Sequence, residues 1–146
     1  MKKIYYLVGL PRSGNTLFGS LLNQNPRVKV TANSVVPDII WRTECLKGEQ
    51  IYHEFPDENS LNSVLKNIIP NYYQNWDCDI IIDRSVWGLQ SNLELLKKYS
   101  PNEIKFVVLL RDIQEVVASY IHWSENNKPN FIDNFTDGTL KSKVDF

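Results

Sequence analysis

The run Gly9-Leu10-Pro11-Arg12-Ser13-Gly14-Asn15-Thr16 gathers two glycines, one guanidinium and three small polar side chains into eight residues. Ile4 to Val8 precedes it as an apolar run, and Phe18, Leu21 and Leu22 follow at helical spacing. A loop between a strand and a helix can turn successive N–H groups inward and hold an anion at the helix N-terminus. A second polar group, Arg111-Asp112, follows the strand-like run Lys105 to Leu110, at the end of a strand where a parallel sheet places ligands. A third group, Asp83-Arg84-Ser85, follows the run Asp79 to Ile82. There Asp83 is a candidate base and Arg84 a candidate cation for group transfer. Each group also has a plainer reading. Arg12 serves as a surface charge, Arg111 pairs with Asp112 or Glu115, Ser119 sits at a helix contact, and Asp83 is a cap or a partner for Arg84 or Arg12.

The elements that must position these residues alternate. Strands are expected at Ile4–Val8, Val28–Val30, Asp79–Ile82 and Lys105–Leu110. Helices are expected at 16–24 (stopped by Asn25-Pro26), from Pro37 to about Leu46 after a cap at Asn33 or Ser34, and over 57–76 with a kink or break at Pro70. Two more follow, at 89–99 with Leu89, Leu93 and Leu96 on one face, and from Asp112 to about Ser124. In the last, Ile113, Val116, Val117, Tyr120 and Ile121 form an apolar stripe, and Asp112 with Glu115 has the spacing of a capping box. This alternation predicts a mostly parallel α/β sheet of about four to five strands, with ligands at the carboxyl ends of the strands. Residues 1–125 read as one domain and 126–146 as a loosely structured tail.

With 146 residues and a formal net charge of −1, the chain fits one core and has no global attraction for nucleic acid or anionic membrane. No run approaches the roughly 20 apolar residues of a membrane span. Lys2, Lys3 and the short apolar run after them lack a small-residue cleavage site, so a strand is the better reading than a signal peptide. Cys45 and Cys78, in no metal-like spacing, fit reduced thiols in the cytoplasm.

The first loop nearly matches the nucleoside-triphosphate pattern G-x-x-x-x-G-K-[ST], but Asn15 stands where that pattern has lysine. It more closely resembles the 5′-phosphosulfate loop of the P-loop sulfotransferases, with its Pro-Lys/Arg-Ser-Gly-x-Thr core. The run Phe106-Val107-Val108-Leu109-Leu110-Arg111-Asp112, continuing to Val116-Val117-Ala118-Ser119-Tyr120, is similar to that family's 3′-phosphate segment. The resemblance implies a three-layer, nucleotide-kinase-like fold. It also implies metal-free transfer of a sulfuryl group from 3′-phosphoadenosine 5′-phosphosulfate (PAPS) to a hydroxyl or amine. By residue matching, Arg12, Ser13, Gly14, Asn15 and Thr16 hold the phosphosulfate, and Arg111 and Ser119 hold the 3′-phosphate.

The chain departs from the family where a base is expected. Thr31-Ala32-Asn33-Ser34 has no carboxylate, and Asp83-Arg84-Ser85 replaces a Lys-x-His. Asp83 is therefore the first choice of base, with Arg84 and Arg12 as cations, while His53 and His122 are weaker candidates. Trp41, Trp87 and Trp123 are candidates for stacking and, more simply, for core. After Lys128 nothing matches the family's late glycine-rich loop, so a truncated or minimal member is expected. Two other classes stay open: a P-loop kinase using Mg-ATP with Asp83 near the metal, and a non-catalytic nucleotide-binding module. A small-molecule, glycan or peptide acceptor and homo-oligomerisation are left open by the sequence.

Overall fold

The computed structural model describes residues 2–130 together with Asp133, Phe135, Thr139 and Lys141. Four strands and six α-helices occur among them. In chain order they are β1 (Lys3–Gly9), α1 (Asn15–Leu22), β2 (Val28–Val30), α2 (Val36–Cys45), α3 (Gln50–Glu54), α4 (Glu58–Tyr72), β3 (Ile80–Arg84), α5 (Gln90–Tyr99), β4 (Phe106–Leu109) and α6 (Ile113–Asn126), with a 3₁₀ turn at Leu46–Gly48. The chain divides into two compact units, Met1–Val8 with Thr16–Val108, and Gly9–Asn15 with Leu109–Phe146.

The first unit is built on the parallel sheet, ordered β2-β3-β1-β4. β1 runs beside β3 from Lys3↔Ile80 to Leu7↔Arg84, and β2 beside β3 from Val28↔Ile80 to Val30↔Ile82. The chain leaves β1 for β2, two places to one side, and leaves β3 for β4, two places to the other. Neighbouring strands whose connections diverge leave a crevice at their carboxyl ends. Here that crevice falls at the ends of β1 and β3. The short β2 is an edge strand, and Asn23 closes it. Its Oδ1 accepts from Val30 N–H at 2.7 Å, and its Nδ2 donates to the Val30 carbonyl at 3.2 Å. This blunts an edge that would otherwise template further pairing.

The core joins Tyr6 and Ile81 of the sheet to Val36, Ile40, Leu65, Ile69, Trp87, Leu96 and Tyr99. Pro37 lies in the first turn of α2, where its missing N–H costs nothing. Ser34, two residues before α2, offers its hydroxyl to Val36 N–H at 3.2 Å. α4 is capped by Asp57 and is not broken at Pro70 but runs through it and ends at Tyr72. A proline so near the end removes one bond at the last turn instead of dividing the helix. α5 buries Leu96, as expected, together with Asn92, Leu95 and Tyr99, while Leu93 is half-buried and Leu89, just before the helix, is exposed. The Asn92 amide donates to the Val86 carbonyl at 2.8 Å, which lets a polar residue occupy that face.

A polar network ties α2 to α4 and α5. Lys47 Nζ donates to Asn62 Oδ1 at 2.8 Å and to the Tyr99 hydroxyl at 2.9 Å, and pairs with Glu44 at 3.0 Å. Burial pushes the Glu44 carboxyl up, but charge-assisted bonds from Lys98, Tyr99 and Lys47 outweigh it and hold it at about 2. A carboxyl depressed in the folded state stabilises above its unfolded value, and that contribution fades as pH falls through the folded value. Stability should therefore drop between about pH 4.5 and 2. Urea denaturation across that range should show the drop in wild type and a shallower one in Glu44→Gln.

In the second unit, Asp112 caps α6 by accepting from Gln114 N–H at 2.8 Å and Glu115 N–H at 3.4 Å. The reciprocal half of the expected capping box does not form, because Arg111 takes the Glu115 side chain. Within the expected stripe Val116 is buried, whereas Ile113 is exposed. α6 continues to Asn126, and Asn130 Nδ2 donates back to the Ser124 carbonyl at 2.8 Å. The rest of the expected tail lies largely outside the described residues. No helix among the described residues is long and apolar enough to cross a membrane.

Candidate functional site

The loop Gly9–Asn15 is organised around one carbonyl. Leu10 C=O accepts from Ser13 N–H at 3.1 Å, from Ser13 Oγ at 2.7 Å and from Asn15 Nδ2 at 3.0 Å. The first of these closes a turn over Pro11 and Arg12, with Arg12 at φ 67°. Proline followed by a positive φ is the signature of a type II turn, whose third position ordinarily belongs to glycine. An arginine there holds a strained conformation, as residues at ligand-binding positions often do. Gly14, at φ 96°, occupies a conformation suited to glycine.

This geometry changes the roles expected of two residues. Both Ser13 donors are spent on the Leu10 carbonyl, so Ser13 shapes the turn and has no donor left for an anion. Asn15 likewise points its amide at the carbonyls of Leu10 and Gly9 (3.4 Å to the latter), and its Oδ1 is buried without a partner. Asn15 is therefore an internal strut where the triphosphate loop has a lysine. Within this unit the donors left to an anion are the N–H groups of Gly14 and Asn15 at the helix start, which have no partner within the helix, and the Arg12 guanidinium. Gly9 is needed for its lack of a side chain. A Cβ there would stand 2.5 Å from Asn15 Oδ1, 2.8 Å from Ser13 Oγ and 3.2 Å from Leu109 Cβ. Gly9→Ala should destabilise the fold by the lower part of about 1–3 kcal/mol, since Asn15 and Ser13 present side-chain tips that can rotate. It should also weaken anion binding at the loop, which denaturation and phosphate titration would measure together.

The second unit also brings the two distant motifs together. Arg12 Nε donates to Ser119 Oγ at 3.3 Å, across 107 residues of sequence. Arg111 Nη1 donates to the Arg12 carbonyl at 2.8 Å, and Arg111 Nε to Glu115 Oε2 at 3.0 Å. The Glu115 partner is one of the plainer readings of Arg111, and it coexists with the loop contact. Arg12 has no carboxylate partner among the described residues and is exposed. Two guanidinium groups, a hydroxyl and a strained loop thus form one positively charged cluster.

In the first unit, Arg84 Nη1 donates to Thr16 Oγ1 at 3.1 Å, which sets a guanidinium beside the head of α1. A cation near a helix N-terminus is electrostatically unfavourable unless an anion joins it. Thr31 fixes the Arg84 backbone, accepting from its N–H at 2.6 Å and donating to its carbonyl at 3.1 Å.

Asp83 behaves differently from the expectation. It is fully buried, and neither carboxylate oxygen has a hydrogen-bond partner. Burial pushes its carboxyl up. The polar groups of Tyr73, Trp87 and Ser34 oppose that from nearby without reaching hydrogen-bond geometry. The Tyr73 hydroxyl is instead paired with Ser34 Oγ at 3.2 Å. Among the described residues Asp83 therefore meets no cation, and it offers no surface to an acceptor, so the first choice of base is enclosed in the core. Trp87 follows β3 and fills that core, the plainer of its two readings, edge-on to Tyr6 with ring centroids 5.0 Å apart. Trp41 is half exposed, Trp123 packs near Tyr120, and His53 and His122 lie on exposed positions of α3 and α6.

Comparison of the chain with protein-family models and with curated proteins gives no match.

Proposed function

We propose that this chain is a P-loop sulfotransferase-type domain with the three-layer fold of that class, binding PAPS through two anion subsites. The observation that carries the reading is the cluster of Arg12, Arg111 and Ser119, which unites the two sequence motifs in one compact unit. The residues fit such a nucleotide: a strained loop with free first-turn amides suits a phosphosulfate, and Arg111 with Ser119 suits the ribose 3′-phosphate. PAPS, when bound, supplies the sulfuryl group. Arg12, Gly14, Asn15 and Thr16 bind and neutralise its 5′ end, the last three through backbone N–H groups. Ser13 and the Asn15 side chain keep the loop in shape. Within the first unit Arg84, bonded to Thr16, is the candidate cation of group transfer. Asp83 is enclosed in the core, and the base for the acceptor is assigned to no residue.

Against the kinase reading stand the Asn15 side chain, which donates to its own loop, and the enclosure of Asp83. Thermal unfolding with added nucleotide discriminates the two, because a ligand that binds only the folded state raises the midpoint by mass action. PAPS and adenosine 3′,5′-bisphosphate should raise it without Mg²⁺. A rise seen only with Mg-ATP would establish the kinase reading instead.

A further inference from the structure

We propose that the cavity at the amino ends of β1 and β4 binds a small amphipathic carboxylate, an acid carried on an apolar body. The cavity measures about 410 Å³, within the range of pockets that enclose small organic ligands. It lies wholly in the first unit, between the start of β1, the last turn of α4 and the connection 100–105. Arg84 lies at the other end of the sheet, so this site is independent of the nucleotide assignment. Ile69, Pro70 and Pro101 supply apolar wall, and the two prolines bring no N–H that a ligand would have to satisfy.

The alternation of β1 builds the polar side. Successive side chains of a strand face opposite ways. Ile4 and Tyr6 pack into the core with Ile69. Lys2 follows the same alternation, and its Nζ donates to the carbonyls of Tyr73 at 2.8 Å and Gln74 at 2.7 Å, just past the end of α4. An ammonium has three donors, so one is left over at the cavity. Backbone groups alternate as well. Tyr6 N–H donates to the Lys105 carbonyl at 2.9 Å, so Ile4 N–H points to the same side of β1. There it meets the connection 100–105, because β4 begins only at Phe106. A cation and a strand-edge N–H on one rim suit a carboxylate, which accepts charge-assisted bonds from both. The surrounding charges favour the same ligand. Lys105 pairs with Glu103 at 2.9 Å, while Lys3 is exposed and has no carboxylate partner among the described residues. Three lysines against one glutamate leave an excess of positive charge at a largely apolar cavity. Burial pushes the Tyr6 hydroxyl up to about 12, so it stays neutral and adds no opposing charge.

The test compares phenylacetate with its neutral counterpart, phenylacetamide, each titrated into isotopically labelled wild-type protein and followed by amide NMR shifts. Phenylacetate should move the amides of Ile4, Tyr6 and Ser100 together, along one binding curve. Phenylacetamide should bind at least about fivefold more weakly, the difference between a charge-assisted and a neutral hydrogen bond. Lys2→Gln should weaken phenylacetate about tenfold and leave phenylacetamide within about twofold. Equal affinity for the acid and the amide would overturn the proposed selectivity, as would phenylacetate shifts confined to amides away from the cavity. A folded Lys2→Gln protein that keeps its affinity for the acid would overturn the role of the ammonium group. The comparison of acid with amide on the wild type decides the matter even if that variant does not fold.

Discussion

Arg111→Ala is expected to weaken binding of adenosine 3′,5′-bisphosphate by about 1.5–3 kcal/mol, the contribution of a hydrogen bond to a charged group. The substitution removes the guanidinium assigned to the 3′-phosphate and also the bond that ties the loop through the Arg12 carbonyl. Adenosine 5′-phosphosulfate lacks the 3′-phosphate, so it should register only the second loss, up to about 1 kcal/mol. Calorimetric titration of both nucleotides separates the two contributions. Equal losses would mean that Arg111 acts by holding the loop and does not touch a 3′-phosphate. Ser119→Ala should shift the same nucleotide in the same direction by about 0.5–1.5 kcal/mol, because it removes a single neutral group.

Asp83→Asn should stabilise the protein at neutral pH by up to about 3 kcal/mol, because the amide takes up the same buried position without the charge that burial there disfavours. Asp83 has no exposed surface and no hydrogen bond, and burial raises its carboxyl above the usual range. For an acid raised in the folded state, the stabilising contribution is complete below its unfolded value. That contribution is lost as pH rises through the folded value, where the enclosed group must ionise. Wild-type stability should therefore fall as pH rises above about 4, on account of this group. The asparagine variant should lack that component, and nucleotide affinity should be unchanged. Urea denaturation of both proteins from acid to neutral pH measures the difference. A variant less stable than wild type at neutral pH would show that Tyr73, Trp87 and Ser34 hold the carboxylate well enough to need its charge.

Much of the fold could be read from apolar runs. Ile4 to Val8 and Ile80 to Ile82 are continuous because both sit inside the sheet, and a parallel sheet buries both faces of its strands. α3 was not legible, since Ile51 and Phe55 are exposed and leave no apolar period around so short a helix. The buried face of α5 was legible only at Leu96 and Leu93, because Asn92 also lies on it, a polar residue made tolerable by the Val86 carbonyl. Pro70 misled in the other direction: a proline in a last turn does not divide its helix.

At the site, the spacing of the loop and of Arg111 and Ser119 was legible because it follows chain order. What the side chains do there was not. Ser13 and Asn15 are small polar residues whose hydroxyl and amide can face a ligand or their own backbone. Only the turn at Leu10 decides that they face the backbone. A type II turn was foreshadowed by Pro11, yet an arginine at the glycine position hid it. The enclosure of Asp83 depends on Tyr73 arriving from the end of α4, which no local pattern announces.

The central claim is that a second phosphate, on the ribose 3′ oxygen, is recognised by this chain. The most direct test is a calorimetric comparison of adenosine 3′,5′-bisphosphate with adenosine 5′-monophosphate on the wild-type protein, with and without Mg²⁺. The bisphosphate should bind at least about tenfold more tightly, as one charge-assisted contact requires, and the difference should persist without Mg²⁺. Equal affinity for the two nucleotides, or binding that appears only when Mg²⁺ is present, would contradict the account.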